Sequence, residues 1–523
     1  MNRSRLKTVL QKQSGLVSAN PYDTAWVAMV PDATDMQKPA WPQVLQWLRN
    51  NQLIDGGWGS ESVFYAHGRT INTLAVLRAL LEWQLPGDEV YIATGLKALH
   101  SYATYLSNEP YEPIGFEILL PKLIQELEPF QLDLPYDAWA MYEQHTAQKM
   151  ALIGRLRPNY DNPRSWWFNM EILGNDQLLE IDDRILGTYG SIATSPSATA
   201  AYLRAKRLNG LDSPRAARFL KAMLQAMNGG AGVCYPIEKF DLIWTIDSLR
   251  RAGLAPDDPD IAPLIQKLAH YWQLSPQGVC WSESFAIADG DITALAFALL
   301  SWAGYQPDDT AFRSFWGDQS YLNYPDELVA SVSANVHALT ALHYSPAHYE
   351  YDTMKLTIRQ WLSEQVTQRG RLHDKWHFSP LYATSRAINS FAGWDDALAQ
   401  RCIEYLLNQQ YENGGWGSIG RTNLEETSYA VLGLSVAYKA GVLKNKYPLR
   451  KAAAYLKQIS HLTPTETFWI GKSLYQPPGV VAANVFAAEV ALEKLAVDFE
   501  RPSLWLAPTL SQRTNLPPQE PLL

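Results

Sequence analysis

Apolar residues recur at three- and four-residue steps with polar residues between them over Ile71 to Trp83, Val90 to Leu106, Ala198 to Leu208, Pro214 to Met227, Phe240 to Ala252 and Ile261 to Trp272. The same period returns over Ile292 to Ala303, Val329 to Leu342, Asp395 to Asn408, Glu426 to Ala440, Leu449 to Ile459 and Ala482 to Leu495. Gly or Pro punctuates most junctions, and the alternation of a half-buried strand is scarce. The pattern predicts an all-α chain built from helical hairpins. One run stands apart: the segment from Ile292 is opened by two carboxylates, Asp289 and Asp291, separated by one glycine. Asp at the start of an apolar periodic run is ordinarily a helix N-cap. Set against a water-poor wall, an acid can instead keep its proton and deliver it to a base as weak as an alkene.

An internal repeat refines the architecture. Asn51-Gln52-Leu-Ile-Asp55-Gly-Gly57-Trp58-Gly-Ser60 is echoed by Asn408-Gln-Gln410-Tyr-Glu-Asn413-Gly-Gly415-Trp416-Gly-Ser418, with Gln273 to Trp281 as a degenerate third copy. In each, a helix end supplies a Gln, a tight Gly turn follows, and a Trp folds back over the next helix. Units of this kind stack outer and inner helices into rings, and copies in both halves of the chain predict two α/α-barrels. The expected division is an inserted barrel over residues 22–235 and a second one formed by residues 1–21 with 236–523.

The length of 523 residues allows two or three domains. A net charge of −9 without a long basic block argues against a nucleic-acid groove. Cys234, Cys280 and Cys402 are far apart, which disfavours a disulfide scaffold and a structural zinc site and fits a reducing compartment. No apolar run reaches the roughly 18 residues of a membrane span, and the N-terminus lacks a signal-peptide core. A cytoplasmic protein is expected. The 19 Trp, 27 Tyr and 15 Phe exceed ordinary needs; some of these rings could line a cavity as electron-rich faces for a cation.

The glutamine-tryptophan units occur together with Tyr22-Asp-Thr-Ala-Trp26, Pro113-Ile-Gly-Phe-Glu117, Ser195-Pro-Ser-Ala-Thr-Ala200, Ile243-Trp-Thr-Ile-Asp247, Asp374-Lys-Trp376, Glu425-Glu-Thr427 and Trp469-Ile-Gly-Lys472. In this order they resemble the class II terpene cyclases, and specifically the bacterial two-domain diterpene cyclases of the copalyl diphosphate synthase type. The resemblance implies two α-barrels with a cavity between them, geranylgeranyl diphosphate as substrate and Mg²⁺ as cofactor; the charge balance and the lack of a long apolar run add the expectation of no nucleic-acid partner and no stable membrane insertion. A downstream terpene synthase would act on the product.

By the same resemblance Asp291 is the general acid of a DxDDTA-like motif whose last carboxylate is replaced by Ile292, leaving Asp289 as the flanking acid. Asn335 is expected to orient Asp291, with His337 as a nearby substitute. Lys149, Lys375 and Lys472 are the candidate diphosphate ligands, and Glu109 and Glu112 remain of the family's acidic magnesium patch. Phe168 falls where copalyl-type synthases of plants carry a proton-removing His. An aromatic face there would prolong the cation and favour a rearranged clerodane or halimane skeleton, such as kolavenyl diphosphate, over an unrearranged labdane; copalyl and halimadienyl diphosphate are the alternative products. A class I mechanism is disfavoured because no DDxxD occurs. A protein prenyltransferase would need an Asp, Cys and His zinc site, which the three cysteines do not offer, and a non-catalytic scaffold is the reading if Ile292 marks a dead site.

Overall fold

The computed structural model describes residues 2–495 apart from 13, 110–111, 143–156, 162, 286, 326, 328 and 346–348. The chain is all-α, its helices arranged in two rings. In the C-terminal half, Glu238–Arg251, Gly290–Trp302, Val332–Tyr344, Pro380–Phe391, Leu424–Lys439 and Pro478–Lys494 each pack on the next, and the last returns to the first, closing an inner circle. Ala262–Gln273, Tyr349–Gln365, Asp396–Asn408, Tyr447–Ile459 and the N-terminal Arg3–Gln11 pack around it. The sequence separates the two layers. Gly290–Trp302 is buried without interruption from Gly290 to Leu300, whereas Asp396–Asn408 buries only the stripe Leu398, Ala399, Cys402, Ile403 and Leu406.

A smaller ring is formed by Pro21–Ala28, Ala66–Trp83, Phe116–Leu127, the 3₁₀ segment Ser165–Ile172 and Pro196–Leu208. Buried apolar side chains accordingly fall into two large clusters. One runs from Val17 to Ile237 and adds Cys280 and Phe285. The other joins Leu6 and Val9 to residues between Leu242 and Leu492.

The repeats act as loop clamps. Trp58 Nε1 donates to the Leu48 carbonyl at 2.7 Å, and Trp416 Nε1 to that of Leu406 at the same distance. The Gln52 amide donates to the carbonyls of Gly56 and Tyr91, and the Gln410 amide to those of Gly414 and Pro448. A threonine in the following inner helix completes each unit, Thr73 Oγ1 accepting the Trp58 N–H at 3.0 Å and Thr427 that of Trp416 at 2.9 Å. In the degenerate copy the clamp holds Val279, whose N–H reaches Thr293 at 2.9 Å, so Val279 stands where the other copies have Trp. Trp281, two residues on, is released from that duty. It donates across the ring boundary to Thr194 Oγ1 at 2.8 Å and stacks on Phe285.

The short hairpin of strands Trp469–Ile470 and Leu474–Tyr475 straps the rings together. Its Gly471 carbonyl accepts the Ile114 N–H at 2.9 Å, and Ser473 Oγ accepts from the Asn72 amide at 2.9 Å.

Candidate active site

Between the rings lies a cavity of about 450 Å³. Phe168 and Cys234 enter its wall from the first ring, Asp291, Trp244 and Tyr382 from the second, and Trp469 from the strap. Its lining is mainly apolar and aromatic, the surroundings in which a charge on a carboxyl group is most costly.

Inner-helix N-termini build the polar end of the cavity by one repeated register. The cap residues Asp289, Ser331 and Asn423 accept the amides of Ile292, Ala334 and Glu426 respectively. Four residues beyond each cap, Thr293, Asn335 and Thr427 hold the preceding loop by accepting the N–H of Val279, Tyr321 and Trp416. Two residues beyond each cap stand Asp291, Ser333 and Glu425.

This register explains why Asn335 does not orient Asp291. Its Oδ1 takes the Tyr321 amide at 2.9 Å, while its Nδ2 donates to the carbonyls of Tyr321 at 3.0 Å and Ser331 at 2.8 Å. The side chain facing Asp291 is His337, one helical turn beyond Ser333 and therefore on the same face. Asp291 is 6 % exposed; its Oδ2 accepts from Ser333 Oγ at 3.0 Å and its Oδ1 is hydrogen-bonded to His337 Nδ1. The other ring nitrogen, Nε2, lies 2.7 Å from an Arg386 guanidinium nitrogen, which can only donate. Nε2 is thus the acceptor, the ring proton sits on Nδ1, and the imidazole donates to Asp291. Arg386 is in turn held by Asp247 at 2.9 Å.

Asp289 keeps both readings open to it: it caps the helix and it lines the cavity beside Asp291. Burial, and then the charge of Asp291, push its carboxyl up to about 7. Neighbouring carboxylates resist joint ionisation.

The other predicted residues are dispersed. Lys149 lies outside the described residues. Lys375 is paired with Glu327 and the Val329 carbonyl, its ammonium 5.0 Å from the ring of the cavity-lining Trp376. Lys472 is fully buried and is corrected as a diphosphate ligand: it donates to Glu171 Oε1 at 2.6 Å, Ser195 Oγ at 2.8 Å and Ser197 Oγ at 2.7 Å. Tyr22 also donates to Glu171, and the Ser197 amide to Asp23. Three of the segments that made the sequence distinctive thus meet around Glu171 in a buried lock between the first ring and the strap. Phe168 lines the cavity, edge-on to Trp281 at 5.7 Å, with the Lys472 ammonium 4.5 Å from its ring centre. Glu109 accepts the amides of Ala66 and His67 at the start of helix Ala66–Trp83 and also bonds the His67 ring. Its oxygens are committed to that helix end, Glu112 is exposed, and no group of three His, Cys, Asp or Glu among the described residues is placed to hold a metal. The pair does not fit a magnesium site.

No protein-family model matches the chain. It is 29 % identical over 491 residues to a type B diterpene cyclase of Mycobacterium tuberculosis, covering 90 % of this chain and 95 % of that protein. In sequence the chain is thus similar to the diterpene cyclases. Among plant proteins it is similar to a copalyl diphosphate synthase of Salvia miltiorrhiza, 30 % identical over 434 residues and 80 % of this chain. A (−)-kolavenyl diphosphate synthase of Salvia divinorum is 29 % identical over 372 residues and 69 % of this chain. The chain spans about half the length of these two plant cyclases, 52 % and 45 % respectively. In fold it matches the ent-copalyl diphosphate synthase of Streptomyces platensis with a TM-score of 0.76 at 22 % identity, over 94 % of this chain and 99 % of that one.

Class II cyclases are isomerases. Two residues of this site are faint in the sequence. His337 stands there only as a substitute for Asn335, although the cap at Ser331 sets the register that distinguishes them. Ser333 carried no signal beyond lying two positions past a possible cap.

Proposed function

We propose that this protein cyclises geranylgeranyl diphosphate to a bicyclic diterpenyl diphosphate by protonating its terminal alkene. The observation that carries the reading is Asp291, fixed by the Nδ1–H of His337 and by Ser333, at the edge of an apolar inter-ring cavity. The domains are taken as residues 22–235 inserted between 1–21 and 236–523, each ring closing one side of the cavity.

In the proposed reaction Asp291 gives its proton to the alkene, two rings close, and a proton leaves while the diphosphate stays attached. His337 and Ser333 hold the Asp291 oxygens so that the acidic proton faces the cavity, and Asp289 favours retention of that proton. The advancing positive charge meets Trp244 stacked on Phe240 at 3.9 Å, with Trp469 edge-on to Phe240 at 5.4 Å. Each such face contributes about 0.5–2 kcal/mol to holding a cation. Lys149 and Lys375 are the proposed diphosphate contacts, and Mg²⁺ accompanies the diphosphate in the assay without an assigned step. The three cysteines are free and buried, which suits a cytoplasmic setting. A downstream terpene synthase is the proposed consumer of the retained diphosphate.

For the product we propose the rearranged clerodane type, because Phe168 offers a ring rather than a base. A specific observation favours unrearranged copalyl diphosphate as the second reading: the Lys472 ammonium already draws on the Phe168 ring. Incubation with geranylgeranyl diphosphate and Mg²⁺, then phosphatase treatment and mass spectrometry, tests both. A bicyclic alcohol is expected, and recovery of geranylgeraniol alone defeats the reading. Phe168→His should raise the unrearranged fraction; an unchanged mixture removes Phe168 from the termination step.

A further inference from the structure

The motif carboxylate lost at Ile292 has a counterpart elsewhere in the fold. Ser333 sits between two acids: its hydroxyl donates to Asp291 Oδ2 at 3.0 Å, and its amide donates to Asp374 Oδ1 at 3.1 Å. Asp374 is 1 % exposed, and its Oδ2 is buried with no hydrogen-bond partner among the described residues. An ionised carboxylate in that setting leaves a charged oxygen uncompensated, a costly state. The same loop is also tied down independently of this carboxyl, by the Leu372 N–H on Thr384 Oγ1 at 3.0 Å.

We infer that Asp374 is a positioning residue for the acid: across Ser333 it replaces the carboxylate missing at Ile292, and its charge opposes ionisation of Asp291, which keeps Asp291 loaded. The inference rests on Asp291 being the acid. Burial first, and then the charge of Asp291, push the Asp374 carboxyl up to about 6. Other charges and titratable groups face this pair from every side. Asp289 lies on the helix of Asp291, with Tyr324 and Glu327 beside it. His337 lies on the neighbouring helix, backed by Arg386 and Asp247. Tyr382 belongs to helix Pro380–Phe391, and Lys375 follows Asp374 in the chain.

The test compares wild type, Asp374→Asn, Asp374→Glu and Asp291→Asn by infrared titration of the buried carboxylic C=O band, alongside the pH profile of kcat. Asparagine keeps the shape of Asp374 and removes the like charge, so the proton on Asp291 becomes easier to lose. The part of the band that disappears in Asp291→Asn should titrate about one pH unit lower in Asp374→Asn, and the basic limb of kcat should move the same way. Asp374→Glu should restore both. A purely structural role would lower kcat without moving either, and an unmoved band and limb overturn the inference. A band that shifts in a protein yielding no cyclised product would leave the coupling of the two carboxyls intact and defeat the functional reading instead.

Discussion

The helix starts at Asp289 and at Asn423 share one local design and differ in everything around it. Each has a capping side chain, a carboxyl two residues on, and a threonine four residues on that clamps the preceding loop. At the first, the carboxyl of Asp291 meets the donated N–H of His337 and an open cavity. At the second, Glu425 is fully buried, accepting from Tyr429 Oη at 2.7 Å and Trp469 Nε1 at 3.1 Å. The residue that follows differs as well: Glu426 ties Ser379, Ser418 and Asn423 together, whereas Ile292 leaves the cavity wall apolar. A carboxyl in this register is therefore an acid or a brace according to what the neighbouring helices and the strap set against it.

The sharpest break in the comparison is Asp291→Asn, an isosteric change that removes the proton donor alone. Product formation should fall by about 10²–10⁴-fold while circular dichroism and the melting curve stay near wild type. Retained turnover would dissolve the distinction between the two helix starts. Asn335→Ala separates clamp from chemistry. It leaves the Tyr321 amide buried and unpaired, at a cost of about 1–3 kcal/mol, so the melting temperature should drop by about 1–3 °C in a chain of this length. His337→Ala should instead depress kcat per folded molecule; if Asn335→Ala did so and His337→Ala did not, the hydrogen-bond assignment would be wrong.

The smallest effect belongs to Glu425→Gln, which should leave the product unchanged and alter only the dependence of stability on pH. Burial pushes the Glu425 carboxyl up to about 8, against about 4.3 in the unfolded chain. Between these values the folded state binds more protons than the unfolded one, so the contribution of this residue is complete below the lower value and is lost as pH rises through the upper. Melting temperatures taken from pH 5 to 8 should therefore fall less steeply in Glu425→Gln than in wild type. Asp23 and Asp241, each pushed up to about 7 by burial, keep the remaining slope in the same direction. An unaltered slope would mean that Glu425 is ionised in the folded protein.

Much of the ring architecture was legible along the chain because a long amphipathic helix writes its period into consecutive residues. Pro380–Phe391 escaped that reading because it is buried on nearly every side, Thr384, Ser385 and Arg386 included, so its polar residues do not mark an outer face. Pro21–Ala28 is only eight residues long and buried throughout, so it offers no polar face to set a phase. In the same way, Trp281 aligned as a repeat tryptophan by spacing, although the clamp bond falls on Val279.

By itself, the order of residues determined the helical class, the repeated loop clamps and the placement of Asp289 and Asp291 at a helix start, because caps, turns and periodicity act between neighbours in the chain. Only the tertiary structure decided that His337 rather than Asn335 meets Asp291, that Lys472 is spent on Glu171, and that Asp374 approaches the acid through Ser333. Those partners lie 46, 301 and, through Ser333, 41 residues apart. A buried charge takes whichever hydrogen bonds the closed rings bring to it, and sequence spacing carries no record of that closure.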